Sequence, residues 1–411
     1  MDAAFENPFR PGAGHRPPYL AGRIEEQSEF RRLLKQTTIL ENMVLTGLRG
    51  VGKTVLLDSL KPMAQSSGWV WIVQDLSEAA SVSEDRLAVR ILADLSIPIS
   101  NLISVETSQL EIGFTGGETN SSQPMTFNHL VQYYESIPGL VSDKLKAVLE
   151  FVWEKMPDDR ISGIIFAYDE AQNLADHSEK EEYPLSLLLD VFQSIQRKGI
   201  PFMLVLVGLP TLFPKLVEAR TYAERMFHVL FLAQLSDAES HDAIKKPVED
   251  ASCPVKFNED AVENITKLSG GYPYFVQFIC REVFDVWIQQ LQSDQKPSVP
   301  QDQILRKLDV EFFAGRWARA TDRQRELLSV IARLPNCDDE FTLQEITRRS
   351  DELSKESYLK SFKSSHVGQL LASLAEAGLI YKNRHGKYSF AVPLMAQFIR
   401  RQIERNNIVA T

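Results

Sequence analysis

The eight residues Gly47-Leu48-Arg49-Gly50-Val51-Gly52-Lys53-Thr54 constrain this chain more than any other stretch, because they satisfy G-x-x-x-x-G-K-[ST] between two apolar runs, Met43-Val44-Leu45 and Val55-Leu56-Leu57. Such a loop works only between a strand and a helix. Glycines let the backbone turn with positive φ so that several N–H groups converge, and the helix that follows adds its own unpaired donors and dipole. The candidate phosphate cradle is therefore Gly47, Arg49, Gly50, Val51, Gly52, Lys53, Thr54 and Val55. Lys53 would reach the β- and γ-phosphates of ATP or ADP, and Thr54 would hold Mg²⁺. The bland alternative is an ordinary glycine-rich turn.

A phosphate loop of this type needs a carboxylate on a neighbouring strand. The run Ile164-Ile165-Phe166-Ala167-Tyr168 is apolar on both faces, as a parallel strand covered by helices must be, and it ends in Asp169-Glu170. Asp169 is the candidate for Mg²⁺ through water, and Glu170 for polarising the attacking water; the alternative is a strand ending in two solvated acids. Further strands are expected at Trp69–Gln74, Phe202–Val207 and His228–Leu232. Between them, Leu145, Val148, Leu149, Val152 and Met156, and then Leu185, Leu188, Phe192 and Ile195, recur at helical spacing. Strands alternating with helices predict an α/β fold with a doubly wound parallel sheet and the site at the strand carboxyl ends. The segment 104–128 interrupts this pattern. It begins with strand-like alternation and is expected to end polar and flexible, as either a surface hairpin or a partner contact.

At 411 residues the chain is long enough for two or three cores, and its 44% apolar and 24% charged content is ordinary. Cys253, Cys280 and Cys337 are odd in number and form no CxxC pair, which fits a reducing compartment and argues against a disulfide framework or a cysteine zinc site. The amino terminus lacks the basic-then-apolar pattern of a secretory signal, and the longest apolar runs are of strand length, so a cytoplasmic protein without a membrane span is expected. The net charge of −10 is uneven: residues 303–405 carry 18 Lys and Arg against 13 Asp and Glu, leaving 27 against 42 elsewhere. A basic carboxy-terminal quarter is the minimum condition for touching nucleic acid, and equally a solvated face.

That quarter has its own pattern. The prolines of Gln295–Pro300 mark a boundary. Arg323–Leu334 is amphipathic, Thr342–Thr347 starts a second helix after a cap, and Val367, Leu370, Leu371, Leu374 and Ala377 stripe a third. Gly378–Tyr381 begins a strand, Asn383–Gly386 turns, and Lys387–Phe390 returns, which together predict a winged helix-turn-helix.

The order of phosphate loop, Asp-Glu strand, a strand ending Gly208-Leu209-Pro210, and a paired-arginine segment resembles AAA+ ATPases, specifically the origin-recognition initiator branch and STAND-type prokaryotic ATPases, over residues 16–400. The resemblance implies four parts: an amino-terminal segment 1–37, an AAA+ core 38–235 carrying the insert, a helical lid 236–300 opening on the capping box Ser236–Glu239, and a winged helix domain 301–411. In the segment Pro18–Glu25 it places Gly22 and Arg23 at the adenine. It makes Arg225, or failing that Arg220, an arginine finger reaching a neighbouring subunit of a nucleotide-dependent oligomer. It also aims the third carboxy-terminal helix into duplex DNA through Lys363, Ser365, His366, Gln369 and Ser373, with Arg384, His385 and Lys387 at the wing. Two departures stand out. The strand Phe202–Val207 offers only Thr211 as a polar sensor, and Ser269-Gly270-Gly271-Tyr272-Pro273 puts Pro273 beside the nucleotide where the initiators carry an arginine. Two function classes follow: a DNA-binding ATPase, or a switch in which ADP holds the winged helix on the core until a trigger frees it to regulate a partner effector.

Overall fold

Five of the apolar runs become one sheet. The computed structural model describes residues 6–409 except 13, 111–117, 158–160, 252, 254, 293–298, 357–360 and 385; for 105–110, 118–122, 292, 356, 384 and 406–409 the description is of the backbone. The strands are β1 (Asn42–Gly47), β2 (Trp69–Asp75), β3 (Ser104–Leu110), β4 (Glu118–Pro124), β5 (Gly163–Asp169), β6 (Phe202–Gly208), β7 (Phe227–Leu232), β8 (Phe341–Thr342), β9 (Ile380–Arg384) and β10 (Lys387–Phe390). Among the described residues, β2-β5-β6-β1-β7 form a five-stranded sheet in which the β2–β5, β5–β6 and β6–β1 pairings are parallel. Every residue of β1, β5 and β6 is buried, which is why these strands read as unbroken apolar runs.

The chain divides into two compact units, one of residues 23–46 and 56–231, the other of 1–22, 47–55 and 232–411. In the first, the helices Glu84–Ile99, Val141–Glu154 and Pro184–Arg197 bury Leu87, Ile91, Val148, Leu188 and Phe192 in one core with Phe166 and Phe202. Phe166 meets Phe192 edge-on at 5.1 Å between ring centroids. The register of β1 against β6 is locked by an amide pair inside this core. Asn42 is 1% exposed, and its Oδ1 accepts from Gln196 Nε2 at 2.8 Å and from Leu204 N at 2.7 Å, while its Nδ2 donates to Gln196 Oε1 at 3.2 Å. The insert is an antiparallel hairpin, the first of the two readings given for it. The polar residues 118–124 are a strand, because antiparallel pairing with β3, from Ser104 opposite Pro124 to Leu110 opposite Glu118, satisfies their backbone without apolar side chains.

The second unit is mostly helical, with Asp237–Asp250, Glu259–Ser269 and Pro273–Gln292 following β7. The Ser236 hydroxyl accepts from Glu239 N at 3.3 Å and the Glu239 carboxylate accepts from Ser236 N at 2.8 Å, the reciprocal box the spacing predicts. Next come Gln301–Leu308, a π-helical turn Asp309–Phe313 and the short helix Ala314–Ala318. The order then is helix Asp322–Ile331, β8, helices Leu343–Glu356 and Ser364–Glu376, β9, β10 and helix Met395–Val409, with the strands in the antiparallel order β8-β10-β9. Three helices and a returning hairpin stand where the sequence places them. The two-residue β8 and the π turn carry too little periodicity to be read beforehand; the last helix was not read, although Met395, Phe398, Ile399 and Ile403 recur at helical spacing. One continuous core runs through this unit from Phe275 and Phe284 to Leu328, Leu371 and Phe398.

Candidate nucleotide site

Within the second unit the loop 47–55 is built as a cradle. Gly50 and Gly52 take φ of 80° and 89°, which an L side chain rarely adopts. A Cβ on Gly47 would lie 2.6 Å from the Leu232 carbonyl oxygen, so this position is closed by backbone. Val51 is buried and anchors the loop, Arg49 and Thr54 are exposed, and Val55 is half-buried. Lys53 opens the helix Lys53–Ser66, and its Nζ donates to the carbonyls of Gly47 at 3.0 Å and Leu48 at 2.9 Å. The ammonium is thus turned over the loop it would serve.

Two further segments close on the loop in the same unit. Pro273 begins its helix with its ring 4.0 Å from where a Gly52 Cβ would stand, and Tyr274 N donates to the Gly50 carbonyl at 3.1 Å. On the amino-terminal side, a Cβ on Gly14 would meet the Thr54 methyl at 3.4 Å. Gly22 has φ 67° and leaves room for Glu239, whose Oε1 would be 2.5 Å from an added Cβ.

The other candidates belong to the first unit. Arg23 also has positive φ, 69°, at the start of helix Ile24–Leu33; it is 8% exposed and pairs with Glu26 at 3.2 Å. Asp169 ends β5, is 4% exposed, and accepts the Glu170 N–H at 2.7 Å. Glu170 is exposed with φ 52°, a left-handed conformation that costs a non-glycine residue energy and re-aims its carboxylate. The residue that sequence reasoning missed is Gln172. Its Nε2 donates to the Glu170 carboxylate, and its Oε1 accepts from Leu209 N at 3.1 Å at the end of β6. Its signal was faint: a polar residue two places after the Asp-Glu pair. Arg225 is exposed in the turn Ala223–Met226 just before β7. Arg220, the second choice for a finger, is instead engaged by Asp190 at 2.9 and 2.6 Å and by Ser186 at 2.7 Å.

The Thr54 hydroxyl in one unit and the Asp169 carboxylate in the other are each oxygen groups of the kind Mg²⁺ takes. The Asp58 carboxyl is held above its usual range, first by desolvation and then by the charge of Asp169, so negative charge gathers beside Asp169. Among the described residues no cluster of three or more His, Cys, Asp or Glu is placed to hold a metal by itself. The three cysteines are free and buried, and burial pushes the Cys337 thiol up to about 11.

The carboxy-terminal DNA candidates are mixed. Lys363 and Gln369 are exposed, and His366 is half-buried with its ring 5.9 Å from that of Phe362. Ser373 faces inward, because its hydroxyl accepts from Gln324 Nε2 at 2.9 Å. Arg384 pairs with Lys387 through the backbone of β9 and β10, and His385 lies outside the described residues. Lys387 is half-buried; desolvation pushes the Glu345 carboxyl up, but hydrogen bonds from the Thr342 hydroxyl and N–H, then the charge of Lys387 and a hydrogen bond from Asn336, hold it below its usual range. Much of the basic surplus is internal. Arg400 donates to the Ala332 carbonyl at 2.7 Å, Arg401 and Arg405 hold the buried Asp309 at 2.5 and 3.2 Å, and Arg323 pairs with Glu326 while lying 3.7 Å over the Phe362 ring. No helix of the described residues is long and apolar enough to cross a membrane.

A family model described as a domain of unknown function (DUF8462) matches residues 310–399, and no curated protein matches the chain. Among solved structures the chain is similar to the ADP form of the ORC2 protein of Aeropyrum pernix, at 16% identity over 95% of this chain and 97% of that one, with a TM-score of 0.55. It is also similar to the ADPNP–ADP complexes of the same protein, at 14% identity over 97% and 98%, with a TM-score of 0.50. The likeness establishes the fold: the parallel-sheet α/β fold of AAA+ proteins with a further carboxy-terminal part.

Proposed function

We propose that this chain binds ATP and ADP with Mg²⁺ in the loop 47–55, hydrolyses ATP, and couples nucleotide state to self-association and to duplex DNA through its carboxy-terminal winged helix. One observation carries the reading. A loop with two left-handed glycines leads into a helix whose first residue is a lysine already folded over that loop. The ORC2 protein of the same fold was solved with ADP and ADPNP, which supports an adenine nucleotide here.

In this reading Lys53 exchanges its two carbonyl acceptors for phosphate oxygens, and the amides from Gly50 to Thr54 surround the polyphosphate. Thr54 and Asp169 hold Mg²⁺, which when bound neutralises phosphate charge. Glu170 orients the attacking water, steadied by the Gln172 amide. Gly22 and Arg23 flank the adenine and Pro273 covers the loop. Pro273 brings no charge, so hydrolysis is slow unless Arg225 of a second copy stabilises the transition state in trans.

A second reading, the switch regulating a partner effector, is favoured by the Tyr274–Gly50 hydrogen bond and by the inward engagement of the carboxy-terminal arginines. Fluorescence anisotropy of a labelled duplex in ATP, ADP and no nucleotide separates the two. ATP-enhanced, salt-sensitive binding that falls when Arg384 and Lys387 are changed to Ala is expected of the first. No binding at low salt in any nucleotide state, with ADP retained through purification, leaves the second.

A further inference from the structure

The π-helical turn Asp309–Phe313 binds the carboxy-terminal half to the loop 47–55 through aromatic packing, all inside one unit. Tyr274, whose backbone N–H is held by Gly50, has its ring 5.2 Å from that of Phe312, and Phe312 in turn lies 4.8 Å from Phe275. One turn further on, the Arg316 guanidinium sits 4.5 Å over the Phe312 ring, and its Nη1 donates to the Phe312 carbonyl at 2.6 Å. The packing therefore delivers a cation from residue 316 toward a loop that already carries Arg49 and Lys53.

That cation is poorly compensated. Arg316 is half-buried, and desolvation, then the charges of Arg49 and Arg319, hold its guanidinium below the usual arginine range. Neither Arg316 nor Arg49 has a carboxylate partner among the described residues. Two guanidinium groups that repel each other beside a phosphate loop are stabilised together by an anion bearing several oxygens. A planar guanidinium fork is well suited to phosphate.

We infer that Arg316 is a phosphate-binding residue of the nucleotide site, supplied by the carboxy-terminal half and acting with Arg49 on the terminal phosphate of ATP. The inference rests on the nucleotide reading above. It replaces the charge that Pro273 cannot bring, and it makes the carboxy-terminal half a direct reader of ATP against ADP. The loop amides and Lys53 hold the β-phosphate that both nucleotides share, and Lys53 reaches the γ-phosphate of ATP as well. Two more cations beyond them match the added charge of the triphosphate.

The test is equilibrium titration of the full chain with fluorescent ADP and a fluorescent non-hydrolysable ATP analogue. Wild type, Lys53→Ala, Arg49→Gln, Arg316→Gln and Arg316→Lys are compared, and unliganded melting curves establish that each variant is folded. Arg316→Gln is expected to weaken the triphosphate about tenfold or more, as loss of a charged hydrogen bond does, and ADP by less than about threefold. Arg316→Lys, which keeps charge and ring packing, should recover part of the loss. Unchanged triphosphate affinity in a folded Arg316→Gln protein, or an equal loss for both nucleotides, overturns the inference while the nucleotide reading stands on wild type and Lys53→Ala. Absence of nucleotide binding by wild type overturns both. Loss of duplex DNA binding in Arg316→Gln with both nucleotide affinities intact assigns the arginine pair to a nucleic-acid phosphate, and the inference fails.

Discussion

Single side chains decide what the proposed site does after it binds. Gln172 illustrates this: held by Leu209 N and donating to the Glu170 carboxylate, it fixes a group whose own backbone is strained. Gln172→Ala is expected to lower the ATP turnover rate about 10- to 100-fold, the cost of a loosened catalytic group, with nucleotide affinity kept. Steady-state hydrolysis beside a binding titration checks it, and undiminished turnover would remove Gln172 from the mechanism. Glu170→Gln should bind nucleotide normally and turn over far more slowly; full turnover there would end the role given to Glu170. Asn42 acts on stability instead. Asn42→Ala takes the partner from the buried Leu204 N–H and from Gln196 Oε1, and is expected to cost about 2–3 kcal/mol in denaturant unfolding. The glycines at 50 and 52 and the Asp-Glu pair were legible because their chemistry is local. Gln172 and Arg316 were not, since their meaning lies in neighbours 37 residues away in one case and in a ring stack in the other.

Elements were most readable where periodicity and caps agree. The helix Leu343–Glu356 begins where Thr342 and Glu345 exchange hydrogen bonds, with Glu345 N donating to the Thr342 hydroxyl at 3.2 Å, and strand burial fell where apolar runs predicted it. β8 was invisible because two residues have no period, and the bounds of the polar β4, within the hairpin the sequence suggested, were hidden because its pairing with β3 is made by backbone. Between elements, Asp190 on the helix Pro184–Arg197 clamps Arg220 and the Tyr222 hydroxyl, at 2.6 Å for the latter. Although burial opposes it, these hydrogen bonds hold the Asp190 carboxyl below its ordinary value. A depressed carboxyl contributes stability that is present above the unfolded-state value and is lost as pH falls through the folded one. The melting temperature of Asp190→Asn should therefore lie below wild type near neutral pH, and the gap should close in the acid range. A gap independent of pH would show that Asp190 acts through packing alone.

At the scale of the molecule, nucleotide binding and stability are linked. ATP or ADP at 100 times its Kd is expected to stabilise wild type by roughly 2.7 kcal/mol, seen as a melting shift that Lys53→Ala abolishes. An equal shift in the variant would place the nucleotide elsewhere. The sequence by itself determined the α/β class, the strand–loop–helix with its two left-handed glycines, the strand ending at Asp169, and the helices and hairpin of the carboxy-terminal part, because glycine conformation, apolar period and capping act within a few residues. Charge was legible only as a total. Which arginines face solvent, which hold Asp309 or a carbonyl, and which one the π turn swings toward Arg49 were decided by the tertiary structure. A guanidinium's role depends on the groups that packing brings within a few ångströms of it, and those groups come from distant parts of the chain.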